Sequence, residues 1–294
     1  MGDTPVKVNE EDVNGTFVEL EGERYYRISN VDQMPDFFMS IVSASDHWMF
    51  ISSNGSLTAG RKNPESALFP YYSEDKIHDY QGKTGSRTLI LLKEGDHLKL
   101  WEPFEAMPSG AYQVKRNLYK NGLSSKLIFE EINVDLDLTF RYGWYTSEKF
   151  GFVKRSVLIN HAAGARELEI LDGLQNILPS GVDSGLQLSS SNLLDAYKRQ
   201  ELVPGTTLGI YRLSSVPTDA AEPSEALKAN TVWSEGLDPS GILLSSQQLD
   251  AFRSGGPVVP EKEKKATRGA YFVYARMELP AGAQQDWNLV AELN

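Results

Sequence analysis

Between His47 and Tyr80 the chain interleaves flat rings with charged and amide groups. Trp48, Phe69, Tyr71, Tyr72 and Tyr80 stand among Arg61, Asn63, Glu65, Asp75 and His78. Sugars present apolar C–H faces and rows of hydroxyls. A site that holds one needs aromatic surfaces beside groups that donate and accept in fixed directions. Trp48, Arg61, Asn63, Glu65, Tyr71, Tyr72 and His78 are therefore the sugar-binding candidates. The same rings would serve equally to plug the mouth of a sandwich or a partner interface, and both readings stay open. His78 lies in Asp75-Lys-Ile-His-Asp-Tyr80, where Asp75 or Asp79 could raise its basicity. With Glu65 or Asp79 it makes the acid–base set that interconversion of sugar anomers would need.

Other chemistry is hard to place. The histidines are His47, His78, His97 and His161, and none pairs with another at i+2 or i+4, so no metal site is expected. The zinc-protease, dinucleotide and nucleophile-elbow motifs are absent. Gly82-Lys83-Thr84 looks like the end of a phosphate loop, but Ile77 stands where the earlier glycine is required. Glu130 and Glu131 point to opposite faces of a strand and cannot flank one bond. Asp135 and Asp137 share a face, and that face is the polar outer one. Glu222 and Glu225 cap a loop or a helix start. No residue is assigned a catalytic role, and no cofactor is expected.

Charge and composition narrow the partners. The 294 residues carry 40 Asp+Glu against 29 Lys+Arg, a net charge of −11. That disfavours a nucleic-acid backbone and an anionic lipid surface. No apolar run reaches the length of a membrane span, and the first residues lack the pattern of a signal peptide. Cysteine is absent, which excludes disulfides and thiolate chemistry and fits a reducing, cytoplasmic compartment.

The elements that must position these groups read as strands. Val134, Leu136, Leu138, Phe140 and Tyr142 alternate with polar residues, and Tyr271, Val273, Ala275, Met277 and Leu279 do so again. Further strands are expected at 16–20, 24–28, 37–43, 48–52, 87–92, 98–101, 112–118, 125–130, 152–159, 167–171, 208–213 and 287–292. Asn121-Gly122 marks a hairpin turn. Many strands joined by short turns predict antiparallel sheets packed face to face. The pattern changes at about 183–265, where helices are expected over 192–203 and 246–253 among Pro-rich and charged loops. This stretch reads as a partly helical insertion in one sandwich domain spanning 1–294.

Three stretches carry a resemblance. Ser53-Asn-Gly-Ser-Leu-Thr-Ala-Gly-Arg-Lys-Asn-Pro-Glu-Ser-Ala-Leu-Phe-Pro-Tyr71 is the first. The second is Phe150-Gly-Phe-Val-Lys-Arg-Ser-Val-Leu-Ile-Asn160 with Ala165-Arg-Glu-Leu-Glu-Ile-Leu-Asp172. The third is Asp195-Ala-Tyr-Lys-Arg199 with Leu208-Gly-Ile-Tyr211, Ser214-Ser215 and Glu222-Pro-Ser-Glu225. Together they resemble the N-terminal region of large bacterial proteins related to the cellobiose phosphorylase family of glycoside phosphorylases. The resemblance implies a β-super-sandwich of the galactose-mutarotase-like type. It also implies a linker and an (α/α)6 barrel downstream, which would hold the general acid and most sugar- and phosphate-binding groups. Inorganic phosphate would then belong to the parent enzyme alone.

On this view the chain is an excised, non-catalytic N-terminal module of a glycoside phosphorylase-like or glycoside hydrolase-like enzyme acting on an oligosaccharide. Members of the family are commonly homodimers, with a loop leaning over the catalytic cleft, and residues 60–80 are the candidate for it. The alternatives are a stand-alone mutarotase-like epimerase and a scaffold domain without ligand.

Overall fold

The computed structural model describes residues 11–105, 111–215 and 228–293. In chain order the strands are β1 (Asn14–Leu20), β2 (Glu23–Ser29), β3 (Phe38–Ile41), β4 (His47–Ser52), β5 (Leu57–Arg61), β6 (Ala67–Phe69), β7 (Gly85–Glu94), β8 (His97–Trp101), β9 (Val114–Asn121) and β10 (Leu127–Asn133). They continue with β11 (Leu138–Ser147), β12 (Gly151–Asn160), β13 (Arg166–Ile177), β14 (Lys198–Leu202), β15 (Gly209–Leu213), β16 (Asn230–Glu235), β17 (Gly241–Leu243), β18 (Glu263–Lys265), β19 (Gly269–Leu279) and β20 (Gln284–Glu292). Three short helices, α1 (Glu74–Ile77), α2 (Ser184–Asp195) and α3 (Leu249–Arg253), interrupt them. No helix of the described residues is long and apolar enough to cross a membrane.

The fold class is mainly antiparallel β, as the period of two predicts. One sheet has eleven strands in the order β1-β2-β9-β10-β11-β12-β20-β16-β15-β14-β18. A five-stranded sheet runs β17-β19-β13-β7-β8, and a four-stranded sheet runs β3-β4-β5-β6. Both smaller sheets pack on the inner face of the large one. A single buried cluster joins Phe129, Phe140, Trp144 and Trp287 of the large sheet to Ile90, Ile170 and Val273 of the five-stranded sheet. Met49, Ile51 and Leu57 of the four-stranded sheet complete it. Each such side chain is worth about 1.5–3 kcal/mol when fully buried. β7, β13 and β19 lose the alternation in their middles because they are covered on both sides. Leu89, Leu171 and Phe272 face a second cluster, closed by Leu249 and Phe252 of α3.

Several expectations are corrected. The strand expected to begin at Val134 begins at Leu138. Residues 134–137 form the β10–β11 turn, with the Asn133 Oδ1 accepting from the Leu136 N–H at 3.1 Å and Asp137 at φ 53°. Asp135 and Asp137 therefore sit on a turn. The helix expected at 192–203 lies at Ser184–Asp195, where the Asp183 side chain caps it by accepting from the Leu186 N–H at 2.6 Å. Residues 198–202 are strand β14, since Lys198 and Gln200 turn inward while Arg199 and Glu201 turn out. The second helix spans Leu249–Arg253. The 183–265 stretch holds both helices but also supplies β14, β15, β16 and β18 to the large sheet and β17 to the five-stranded one. Glu222 and Glu225 lie outside the described residues.

The facing sheets are pinned by a buried ion pair. Lys154 of β12 donates to the Asp172 carboxylate of β13, and both side chains have no solvent exposure. Asp172 also accepts from Thr88 of β7 at 2.6 Å, Ser156 of β12 at 3.0 Å and the Trp287 indole of β20 at 2.7 Å. Burial pulls the Lys154 ammonium below its usual range, against the opposing pull of Asp172. Lys154→Met leaves a buried carboxylate without its counter-charge. Urea denaturation is expected to show a loss of about 3–5 kcal/mol, with part of it regained in the Lys154→Met/Asp172→Asn double variant. A single variant as stable as the wild type would contradict the pinning role.

Candidate functional site

Period two sorts β4 into two sets. Met49 and Ile51 enter the core, and Trp48 and Phe50 face outward from the four-stranded sheet. Phe38 of β3 stacks on Phe50 with ring centroids 5.3 Å apart and planes 26° apart. Phe50 meets Trp48 at 5.9 Å and 33°. These small angles lay three rings side by side as a gently curved pavement. Trp48 lies over Gly60, its cross-strand partner on β5. A Cβ on Gly60 would come within 2.5 Å of the indole Cζ2, so only glycine lets the ring settle there. The Trp48 Nε1 donates to the Asn63 carbonyl at 3.2 Å, which fixes the ring's rotation. Tyr71, 43% exposed, stands against Trp48 at 79° and walls one end.

The structure brings together some of the seven sequence-derived candidates and separates others. Trp48, Asn63 and Tyr71 meet directly. Arg61 lies at the end of β5 and pairs with Asp46 at 2.7 Å, and this hydrogen bond holds the Asp46 carboxyl below its usual range. Glu65 accepts from both the backbone N–H and the hydroxyl of Ser184, at 2.8 and 2.7 Å, and these bonds lower its pKa. It secures the first turn of α2. Tyr72 stacks on Tyr80 at 3.7 Å, and burial, with Tyr80 beside it, pushes its phenol up to about 12. The His78 Nδ1 bonds the Ser52 hydroxyl at 2.7 Å, and its carbonyl accepts from the Asn54 amide at 3.1 Å. Glu65 and His78 thus engage different partners. Phe38 and Phe50 were missed, although the alternation in 37–43 and 48–52 puts Phe38, Trp48 and Phe50 outward.

A second polar cluster lies on the outer face of the large sheet. Glu130 accepts from the Asn117 amide at 2.8 Å, the Tyr119 hydroxyl at 2.6 Å and the Arg141 Nε at 3.0 Å. Burial raises its pKa, but Arg141, Tyr119 and Asn117 together outweigh that and hold the carboxyl low. Glu131 faces the interior, where Trp101 Nε1, the Phe104 N–H and Arg116 Nε donate to it at 2.7–2.8 Å. The neighbouring glutamates do point to opposite faces. Both are saturated with donors, which suits anchors and not proton carriers.

No protein-family profile and no curated protein matches the sequence. Solved structures do. The chain is similar to a polysaccharide lyase at 12% identity and a TM-score of 0.42, over 88% of this chain and 32% of that one. It is similar to a protein described as a kojibiose phosphorylase, from the human microbiome, at 8% identity and a TM-score of 0.37, over 92% of this chain and 26% of that one. A third likeness is to a protein described as an aldose 1-epimerase, from Klebsiella pneumoniae subsp. pneumoniae MGH 78578. It has 9% identity and a TM-score of 0.38, over 96% of this chain and 87% of that one. The chain thus spans about a third or less of the first two. The tie to the cellobiose phosphorylase family remains one of motif resemblance.

The pavement rests on Gly60. Gly60→Ala drives a methyl into the Ser66 carbonyl, 2.4 Å away, and into the indole. It is expected to cost about 1–3 kcal/mol in urea denaturation and to shift the tryptophan emission. Unchanged stability and emission would mean that Trp48 does not lie on this strand.

Proposed function

We propose that the chain is a saccharide-holding sandwich module of a carbohydrate-active enzyme and that it performs no bond cleavage itself. The observation that carries this is the pavement of Phe38, Phe50 and Trp48 with Tyr71 as its wall. Flat rings offer stacking area to the C–H faces of pyranoses. Asn63 and the Arg61–Asp46 pair at the rim supply donors and acceptors for hydroxyls. Trp48 is held on both its face and its nitrogen, so little ordering remains to be done on binding.

The way the acids are used supports the non-catalytic reading. Glu65 is engaged by α2, and Glu130 and Glu131 are saturated, which leaves Asp79 with His78 as the pair an epimerase would need. In this reading a downstream helical barrel supplies the acid and the phosphate site. The sandwich packs on it, and residues 60–80 reach the substrate. A homodimer and a cytoplasmic setting belong to the same reading.

Titration with malto- and cello-oligosaccharides, followed by tryptophan fluorescence, tests it. A saturable change at millimolar sugar is expected, weakened about tenfold or more in Trp48→Ala. No response would favour a ligand-free scaffold. Phosphorolysis, hydrolysis or anomer interconversion by the purified chain would overturn the non-catalytic assignment.

A further inference from the structure

The β1–β2 hairpin does not extend the large sheet as a flat edge. Its turn, Glu21-Gly22, takes φ values of 52° and 78°, the pair of positive angles that closes a tight two-residue hairpin. The Glu21 carboxylate accepts from Arg155 at 2.5 Å. Arg155 sits on β12, four strands from β2 in the order β2-β9-β10-β11-β12. On a flat sheet four steps measure roughly 19 Å, farther than an arginine and a glutamate reach together. The sheet must therefore curl until the hairpin tip hangs over its own outer face.

Beneath that tip lies a cavity of about 250 Å³. Tyr25 and Tyr145 give it aromatic walls, and Leu20 and Val153 give it an aliphatic floor. The Tyr25 hydroxyl is engaged by Glu23. The Tyr145 hydroxyl and the Asn288 carboxamide have no hydrogen-bond partner among the described residues, and both line the cavity. Four charged side chains surround it, and they are already paired, Lys126 with Glu23 and Arg155 with Glu21.

We infer that this cavity is a binding site for one neutral, hydroxyl-rich ring of pyranose size, held between Tyr25 and Tyr145 and bonded by the Tyr145 hydroxyl and the Asn288 amide. The four lining charges sum to zero, and Asp286 also pairs with Arg155 at 3.4 Å, so the site offers no unpaired cation to hold an anion. The free hydroxyl and carboxamide supply a donor–acceptor set that suits sugar hydroxyls. The volume is below the usual range for drug-sized ligands and admits a ring but not a chain. In the Glu21–Arg155 pair Glu21 is exposed and Arg155 half-buried, and pairs so open to solvent are weak. The site lies on a different sheet from the pavement and stands without it.

The test is an amide-resolved NMR titration of the full chain with D-glucose, with D-glucuronate as the charged counterpart. Glucose is expected to move the Asn288 side-chain resonances and the backbone amides of Glu21, Gly22 and Tyr145. Tyr145→Phe and Asn288→Ala are each expected to weaken it about fivefold. Glucuronate should bind no more tightly than glucose. The inference is overturned by shifts confined to the strand bearing Trp48, by unchanged affinity in both variants, or by a clear preference for glucuronate. A response at Trp48 without one at Asn288 would leave the pavement standing and remove this site. The reverse pattern would do the opposite.

Discussion

Everything outward-facing in this sandwich depends on how its inward faces are locked, and the lock is the Lys154–Asp172 pair. A charged lysine in a dry interior is expensive unless its counter-ion is fixed beside it. Here the counter-ion is fixed four times over, by Lys154, Thr88, Ser156 and Trp287. The donors come from both facing sheets, so a slip of either sheet strands a charge. Apolar contacts such as those among Phe140, Tyr142 and Trp287 tolerate small slides, but the ion pair does not. A one-residue slip in a strand would also exchange its two faces.

Once the inner set is pinned, the alternate residues are free for other work, and the two surface features arise from this. On β4 the outward set is Trp48 and Phe50, which lie flat because Gly60 opposes the indole and Phe38 continues the row. On the large sheet the outward set is more polar. Glu130 gathers Asn117, Tyr119 and Arg141 into an anchored cluster on strands β9, β10 and β11. Next to it the curl of the sheet makes a hollow that a flat sheet would lack. The pavement's indole is fixed by the Asn63 carbonyl, whereas the hollow keeps the Tyr145 hydroxyl and the Asn288 carboxamide unpartnered among the described residues.

The sequence showed the architecture more clearly than the site. The β class, most strands of the large sheet and the split between Glu130 and Glu131 follow from period two, which survives wherever one face is wet. The expected helix at 192–203 was displaced because Leu193, Leu194, Tyr197 and Leu202 satisfy a helical stripe on paper, while burial of Lys198 and Gln200 imposes the strand. β6, β17 and β18 are three residues each and too short to show a period. Trp48 and Tyr71 were legible as ring-bearing neighbours of polar groups. Their union with Phe38 and Phe50 was not, since it is made across strands. Nor was the hollow, because the tie between Glu21 and Arg155 spans 134 positions.

The central claim is that outward rings of the four-stranded sheet hold a saccharide while the inward ones stay locked. The chain has five tryptophans, and their indole N–H signals report on both sides at once. Trp101, Trp144 and Trp287 are 2% exposed or less, whereas Trp48 lies on the pavement. In an indole-resolved NMR titration with maltotetraose, the Trp48 signal should move progressively while the three buried signals hold still. A stationary Trp48, or movement shared by the buried indoles, would contradict the account.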